Sequence, residues 1–188
     1  MKKFIITMAG IACLTLAAST AWAQEDELKA FPGYVDFGQL SDIFGEPNVE
    51  IAVGKGLLSF VSAFTTNEDP EVANLFSRLD GVRVRVFETD QLADGAIDLV
   101  RNVSSSLSGS GWESVVSVNS TDEQVRIFMK LNDDLIEGIT VMAVEPDEAV
   151  FINVIGFLDP AELARLMDHF EVDVNDIQIN GVEINGDD

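Results

Sequence analysis

Between Trp112 and Phe157 the sequence carries four apolar stretches, at 112–118, 123–131, 135–145 and 149–157. They are parted only by Asn119-Ser-Thr-Asp122, Asn132-Asp133-Asp134 and Pro146-Asp147-Glu148. Parallel neighbours need a crossover of about a dozen residues or more, which three or four polar residues cannot supply. These stretches therefore read as antiparallel strands joined by tight turns. An antiparallel run that long has one face to cover, and the rest of the chain must supply the cover.

The preceding residues offer strands and helices in alternation. Val49, Ile51 and Val53 alternate with Glu50 and Ala52, as in a half-buried strand, after a single helical turn at 39–44. Gly54-Lys55-Gly56 breaks that strand, and Leu57, Phe60, Val61 and Phe64 then recur at helical spacing. Asp69-Pro70 opens a second helix, with Asp as cap and Pro at its first position; Val72, Leu75, Phe76 and Leu79 form its stripe and Gly81 ends it. Val82-Arg-Val-Arg-Val-Phe87 alternates strictly and reads as a strand, and 90–107 reads as an amphipathic helix. Asp159-Pro160 opens a last helix, with Glu162 in the capping-box position and Leu163, Leu166, Met167 and Phe170 along one side. Asn180-Gly181 is a hairpin turn within Ile177 to Ile184. The expected fold is α+β, a largely antiparallel sheet of five to six strands with three to four helices packed on one face. The organisation is a mobile leader at 24–30, a single domain at 31–172, and a short C-terminal hairpin and acidic tail at 173–188.

Residues 1–23 read as a secretory signal peptide. Lys2 and Lys3 form the basic end, Phe4 to Ala18 the apolar run, and Ala21-Trp-Ala23 the cleavage site, leaving Gln24 as the new N-terminus. The apolar run is shorter than the roughly 20 residues a membrane span needs, and no later run approaches that length. Lipidation at Cys13 is disfavoured, because Gly10-Ile11-Ala12 lacks the Leu-type residue expected three positions before a lipidated cysteine. The expected location is the periplasm or the exterior of a bacterium. The chain has one Cys and one His, which excludes disulfide scaffolds, zinc fingers, haem-attachment motifs and multi-cysteine clusters. Removing the signal also removes that cysteine. Eleven Lys and Arg stand against 33 Asp and Glu, a net charge of −22, the wrong sign for a nucleic-acid surface.

No catalytic motif stands out. Gly54-Lys55-Gly56-Leu57-Leu58-Ser59 half-matches a dinucleotide fingerprint but reads as a glycine-rich strand-to-helix turn. His169 lies near the end of the last helix with no nucleophile elbow in the sequence. A calcium loop beginning at Asp173 fails at Ile177 and Gln178, leaving only weak surface binding by the acidic tail. No cofactor, no metal site and no catalytic residue is expected. The alternative is a small exported hydrolase using a carboxylate pair. The sheet carries a more specific signal. Arg83, Arg85 and Phe87 face away from Val82, Val84 and Val86, and Arg126, Phe128 and Lys130 face away from Val125, Ile127 and Met129. In one sheet these would form a cationic and aromatic strip on an acidic protein. The expectation is an exposed partner-binding or self-association surface; the plain alternative is a solvated face paired with acids such as Glu137 and Glu145.

Four stretches together carry a family resemblance. They are Pro32-Gly-Tyr-Val-Asp36, the strand-Gly-helix run Val49 to Phe64, Asp69-Pro-Glu71 leading to Leu79-Asp-Gly-Val-Arg-Val-Arg-Val86, and Val150-Phe-Ile-Asn-Val-Ile-Gly156 leading to Asp159-Pro160. The chain resembles the exported bacterial family catalogued as domain of unknown function 4252. The resemblance supplies no active-site residues. The leading expectation is a non-enzymatic envelope protein that acts by binding another protein, and the resemblance implies for it a setting of envelope stress or sigma and anti-sigma signalling. Many members look like lipoproteins, and this sequence departs from them at Cys13.

Overall fold

The computed structural model describes residues 26–67, 69–121 and 123–161. The signal sequence with its cleavage point at Ala23–Gln24, the last helix beyond Ala161, His169 and the C-terminal hairpin and tail lie outside the described residues. In chain order the elements are α1 (Ser41–Phe44), β1 (Val49–Gly54), α2 (Lys55–Thr65), α3 (Pro70–Arg78), β2 (Leu79–Glu88), α4 (Ala96–Gly109), β3 (Trp112–Asn119), β4 (Gln124–Asn132), β5 (Leu135–Val144) and β6 (Glu148–Leu158). A helical turn at 26–28 precedes them. The six strands form one sheet in the order β1-β2-β6-β5-β4-β3, every pair antiparallel. β3 to β6 form the meander that the short polar separators require, and β2 closes on β6 to bring in the N-terminal half.

The register lines up side chains in rows across the sheet. On one face Arg83, Asn153, Thr140 and Phe128 follow one another from β2 to β4, and Arg85, Phe151, Met142 and Arg126 form the next row. The opposite face is β-branched almost throughout. One row reads Ile51, Val84, Ile152, Val141, Ile127 and Val116, and the next reads Val49, Val86, Val150, Ala143, Val125 and Val118.

Both faces carry helices, so the expectation that the helices share one face does not hold. The larger core lies on the Arg/Phe face. There Phe87, Phe128, Met142 and Phe151 pack against Val35, Phe37 and Leu40 of the N-terminal segment and against Ala96, Val100, Val103 and Leu107 of α4. A smaller cluster lies on the valine face, where Leu58, Leu75 and Phe76 of α2 and α3 cover Val53, Val82, Val154, Ile139 and Met129 at one end of the strands. The pair α2–α3 precedes β2 and α4 follows it, so the two covers join the sheet at opposite ends of that strand. The leader is not separate either, since Leu28 is buried and its side chain occupies the space beside Gly81.

The Pro32-Gly33 turn has a steric cause. A Cβ at residue 33 would stand 2.0 Å from the Glu137 carbonyl oxygen, and one at Gly138 would stand 2.7 Å from Gly33 Cα. The N-terminal segment thus crosses β5 at a pair of glycines, where backbone meets backbone.

Candidate functional site

The six residues of the expected strip lie on one face, but β6 and β5 separate β2 from β4, and the face is the covered one. Phe87 and Phe128 are buried. Phe87 packs at a tilt on Phe44, 5.3 Å between ring centroids, and edge-to-face on Phe151 at 6.2 Å. The exposed aromatic strip is therefore corrected to a core face. The aromatic side chains of the N-terminal segment, far away in sequence, decided which side of β2 would be dry.

The cations on that face tie backbone down. Arg83 is buried; its Nη1 donates to the Val35 carbonyl at 2.8 Å and its guanidinium lies over the Tyr34 ring, 4.6 Å from the centroid. Next to it in the row, Asn153 Oδ1 accepts from Val35 N–H at 2.9 Å while its Nδ2 donates to the Gly33 carbonyl at 2.9 Å. The amide thus pairs with residues 33–35 as a strand would. Lys130 Nζ donates to the Pro32 carbonyl at 3.2 Å. Arg85 Nε meets Glu50 Oε1 at 2.9 Å across β1. Arg126 donates to the carbonyls of Val118 and Val125 and to Asn119 Oδ1, bracing the β3–β4 turn. Each of the four therefore has a partner within the chain.

The exposed apolar surface is elsewhere. α2 packs on α3 through Leu58 and Ser62, whose hydroxyl donates to the Ala73 carbonyl at 2.7 Å. Small residues at that contact bring the two helices close and set the rotation of α2. Leu57, Phe60 and Phe64 are thereby turned to solvent, at 50%, 58% and 68% exposure. The rings of Phe60 and Phe64 pack on each other at a tilt of 55°, 4.6 Å between centroids. The helical spacing of these residues was legible, but spacing alone does not tell an inward stripe from an outward one. The second apolar feature is the pair of valine rows, which belong to neither core cluster among the described residues. Val49 and Ile51 at their β1 end are 43% and 42% exposed.

The carboxylates are engaged or scattered. Buried Asp80 accepts from Lys55 Nζ at 2.7 Å, and Glu137 accepts from Asn132 Nδ2 at 2.7 Å. Glu145, in the β5–β6 turn, has its carboxyl held above the ordinary 4.5, first by partial desolvation and then by Glu123, Asp147 and Glu148. A shallow depression is lined by Leu92, Ala93, Asp94, Gly95, Ile97 and Asp98; Asp98 is paired with Arg101 at 2.7 Å. Among the described residues no three His, Cys, Asp or Glu side chains gather as a metal site would require, and no helix is long and apolar enough to cross a membrane. Gly54-Lys55-Gly56 links β1 to α2, and β1 pairs antiparallel with β2, so the turn does not open a dinucleotide-binding βαβ unit.

A family model matches residues 44–166, the one described as Domain of unknown function (DUF4252). The match covers three of the four stretches that carry the resemblance; Pro32 to Asp36 lies before it. No curated protein matches the chain.

Proposed function

Given that the chain belongs to the DUF4252 family, whose description names no activity, we propose that it is an exported, non-enzymatic protein of the bacterial envelope that acts by binding a protein partner. The observation that carries this reading is the Leu57, Phe60 and Phe64 stripe of α2, three large apolar side chains at least half exposed on one helix side. Burying one such side chain against a partner stabilises a complex by roughly 1.5–3 kcal/mol, and stripes of this kind mark helix-in-groove or helix-on-helix contacts. Charge sets the partner's chemistry. The exported chain loses Lys2 and Lys3 with the signal and stands at −24 (9 Lys and Arg against 33 Asp and Glu), which favours a basic amphipathic segment, whose apolar side meets the stripe while its cations meet the surrounding field. Export supplies the setting: the signal sequence leaves Gln24 as the first residue, and the family resemblance suggests a place in envelope stress or sigma and anti-sigma signalling.

The test compares wild type with Phe60→Asp/Phe64→Asp. The probe is a labelled synthetic helix with leucines at i, i+3, i+4 and i+7 and lysines elsewhere, its binding read by fluorescence anisotropy. The variant should bind at least tenfold more weakly with an unchanged circular dichroism spectrum, and wild-type binding should weaken with added salt. Equal binding by the two proteins would sink the reading.

A further inference from the structure

We propose that the chain self-associates edge to edge, through a two-fold contact in which β1 pairs with β1 of a second copy and the two α2 stripes pack on each other. This contact takes the stripe that the reading above gives to a partner helix, so on that reading the second copy and the partner compete for it.

The fold sets strand and stripe along one margin. β1 ends the sheet, with β2 and then β6 inside it. α2 lies against β1 and β2, and α3 lies against β6, so α2 is the outer helix of the pair. Ser62 turns toward α3, where its hydroxyl meets the Ala73 carbonyl. Phe60 and Phe64 stand two residues before and after it, about 160° round the helix in either sense. They therefore point away from α3, outward over the β1 edge. Val49 and Ile51, also exposed, belong to β1 on the same face of the sheet.

The β1 edge carries none of the devices that keep an edge from pairing. Its register with β2 is unbroken from Val49 to Gly54, and the strand holds no Pro and no Lys. The opposite edge is blunted: β3 is interrupted between Ser114 and Val116 and carries Glu113.

Charge and symmetry select a second copy. Residues 49–66 hold just two charged side chains, Glu50 and Lys55, in a chain with 33 Asp and Glu. Glu50 is paired with Arg85 and Lys55 with Asp80, so two copies can meet here without setting acid against acid. A two-fold axis through Ile51, perpendicular to the sheet, sets Ile51 opposite its own counterpart, Val49 opposite Val53 and Glu50 opposite Ala52. The same axis brings the two α2 helices side by side on one face. Val49, Ile51, Leu57, Phe60 and Phe64 leave on the order of 500 Å² of apolar surface in water per copy, and twice that reaches the roughly 1,000 Å² at which a specific interface begins.

The test expresses the full chain with its own signal sequence and purifies the protein as the cell processes it. Sedimentation velocity should show a monomer–dimer equilibrium that tightens with sodium chloride, since salt shortens the range of repulsion from about 10 Å at 0.1 M to about 3 Å at 1 M. Ile51→Lys on the edge and Phe60→Asp/Phe64→Asp on the helix should each weaken the dimer at least tenfold with unchanged circular dichroism spectra. Val115→Lys on β3 should leave it intact. In a Cys13→Ser background, Ile51→Cys should form an interchain disulfide under mild oxidation at least tenfold faster than Val115→Cys. The leucine–lysine helix used as probe above should dissociate the dimer as it binds.

A monomer at every salt concentration, up to about 1 mM protein, would overturn the proposal. So would a dimer indifferent to either the edge or the helix variant, equal crosslinking at the two edges, or a probe that binds and leaves the dimer whole. An Ile51→Cys thiol that resists maleimide in the monomer would overturn it too, since the chain itself then covers the edge. Probe binding without a dimer removes this proposal and keeps the partner reading. A dimer that meets the mutational and crosslinking expectations but does not bind the probe does the reverse.

Discussion

Gly33 and Asn153 together hold the N-terminal segment onto the sheet, one by lacking a side chain and the other by using its amide as a strand edge. Gly33→Ala would drive a Cβ into the Glu137 carbonyl, a backbone atom with no rotamer to yield. The segment must lift, which should cost about 3 kcal/mol; a urea denaturation midpoint unchanged from wild type would show that the crossing at Gly138 is looser than its geometry. Glu145 acts in the opposite sense. Its carboxyl is raised in the folded chain, so the fold binds its proton more tightly than the unfolded chain does, and ionisation above about 4.5 weakens the fold. Glu145→Gln should therefore raise the denaturation midpoint at pH 7, with the difference fading as the pH falls below about 4. Alternation showed which residues of β2 share a face, but not which face would be dry. Val82, Val84 and Val86 look the better core by composition, yet Phe87 and Arg83 are the buried ones. The segment brought there presents Phe37 to the ring of Phe151 at 5.4 Å, and a carbonyl, that of Val35, for the guanidinium of Arg83.

At the scale of elements, local signals were the most readable. Asp69 caps α3 as its sequence predicts, with Oδ1 accepting from the N–H groups of Glu71 and Val72, both at 3.1 Å. Asp69→Ala should cost about 1 kcal/mol, measured as a lower denaturation midpoint; an unchanged midpoint would mean that solvent satisfies those groups equally well. The strands at 112–157 were legible almost to the residue because their turns are short and polar. The helix expected at 90–107 begins only at Ala96, after Gly95 in the left-handed region, since Asp90 to Asp94 are spent on the loop that carries the chain from β2 to the far face. The placement of helices on two faces was not legible. α2, α3 and α4 each carry an apolar stripe, and a stripe does not say which face of the sheet it will cover. The same gap hid the exposure of Phe60 and Phe64, whose outward turn depends on Ser62 meeting Ala73.

For the molecule as a whole, strand order divides the sheet into two parts of different character. β3 to β6 pair with neighbours in sequence, whereas β2 ends at Glu88 and waits for β6, which begins at Glu148. Closing so long a loop costs entropy before any contact repays it. The β2–β6 seam should be the last to form and the first to part, so amides of β1 and β2 should exchange hydrogen faster than those of β4 and β5 under native conditions. Uniform exchange across the sheet would contradict this. The same order matters for a chain made from its N-terminus. Until β6 emerges from the ribosome, Val82-Arg-Val-Arg-Val-Phe87 has β1 along one side but an open edge along the other, the kind of sequence that seeds aggregation between nascent chains. Arg83 and Arg85, later locked to Val35 and Glu50, give it two positive charges during that interval. They act first as gatekeepers against the wrong neighbour and only afterwards as fasteners for the right one.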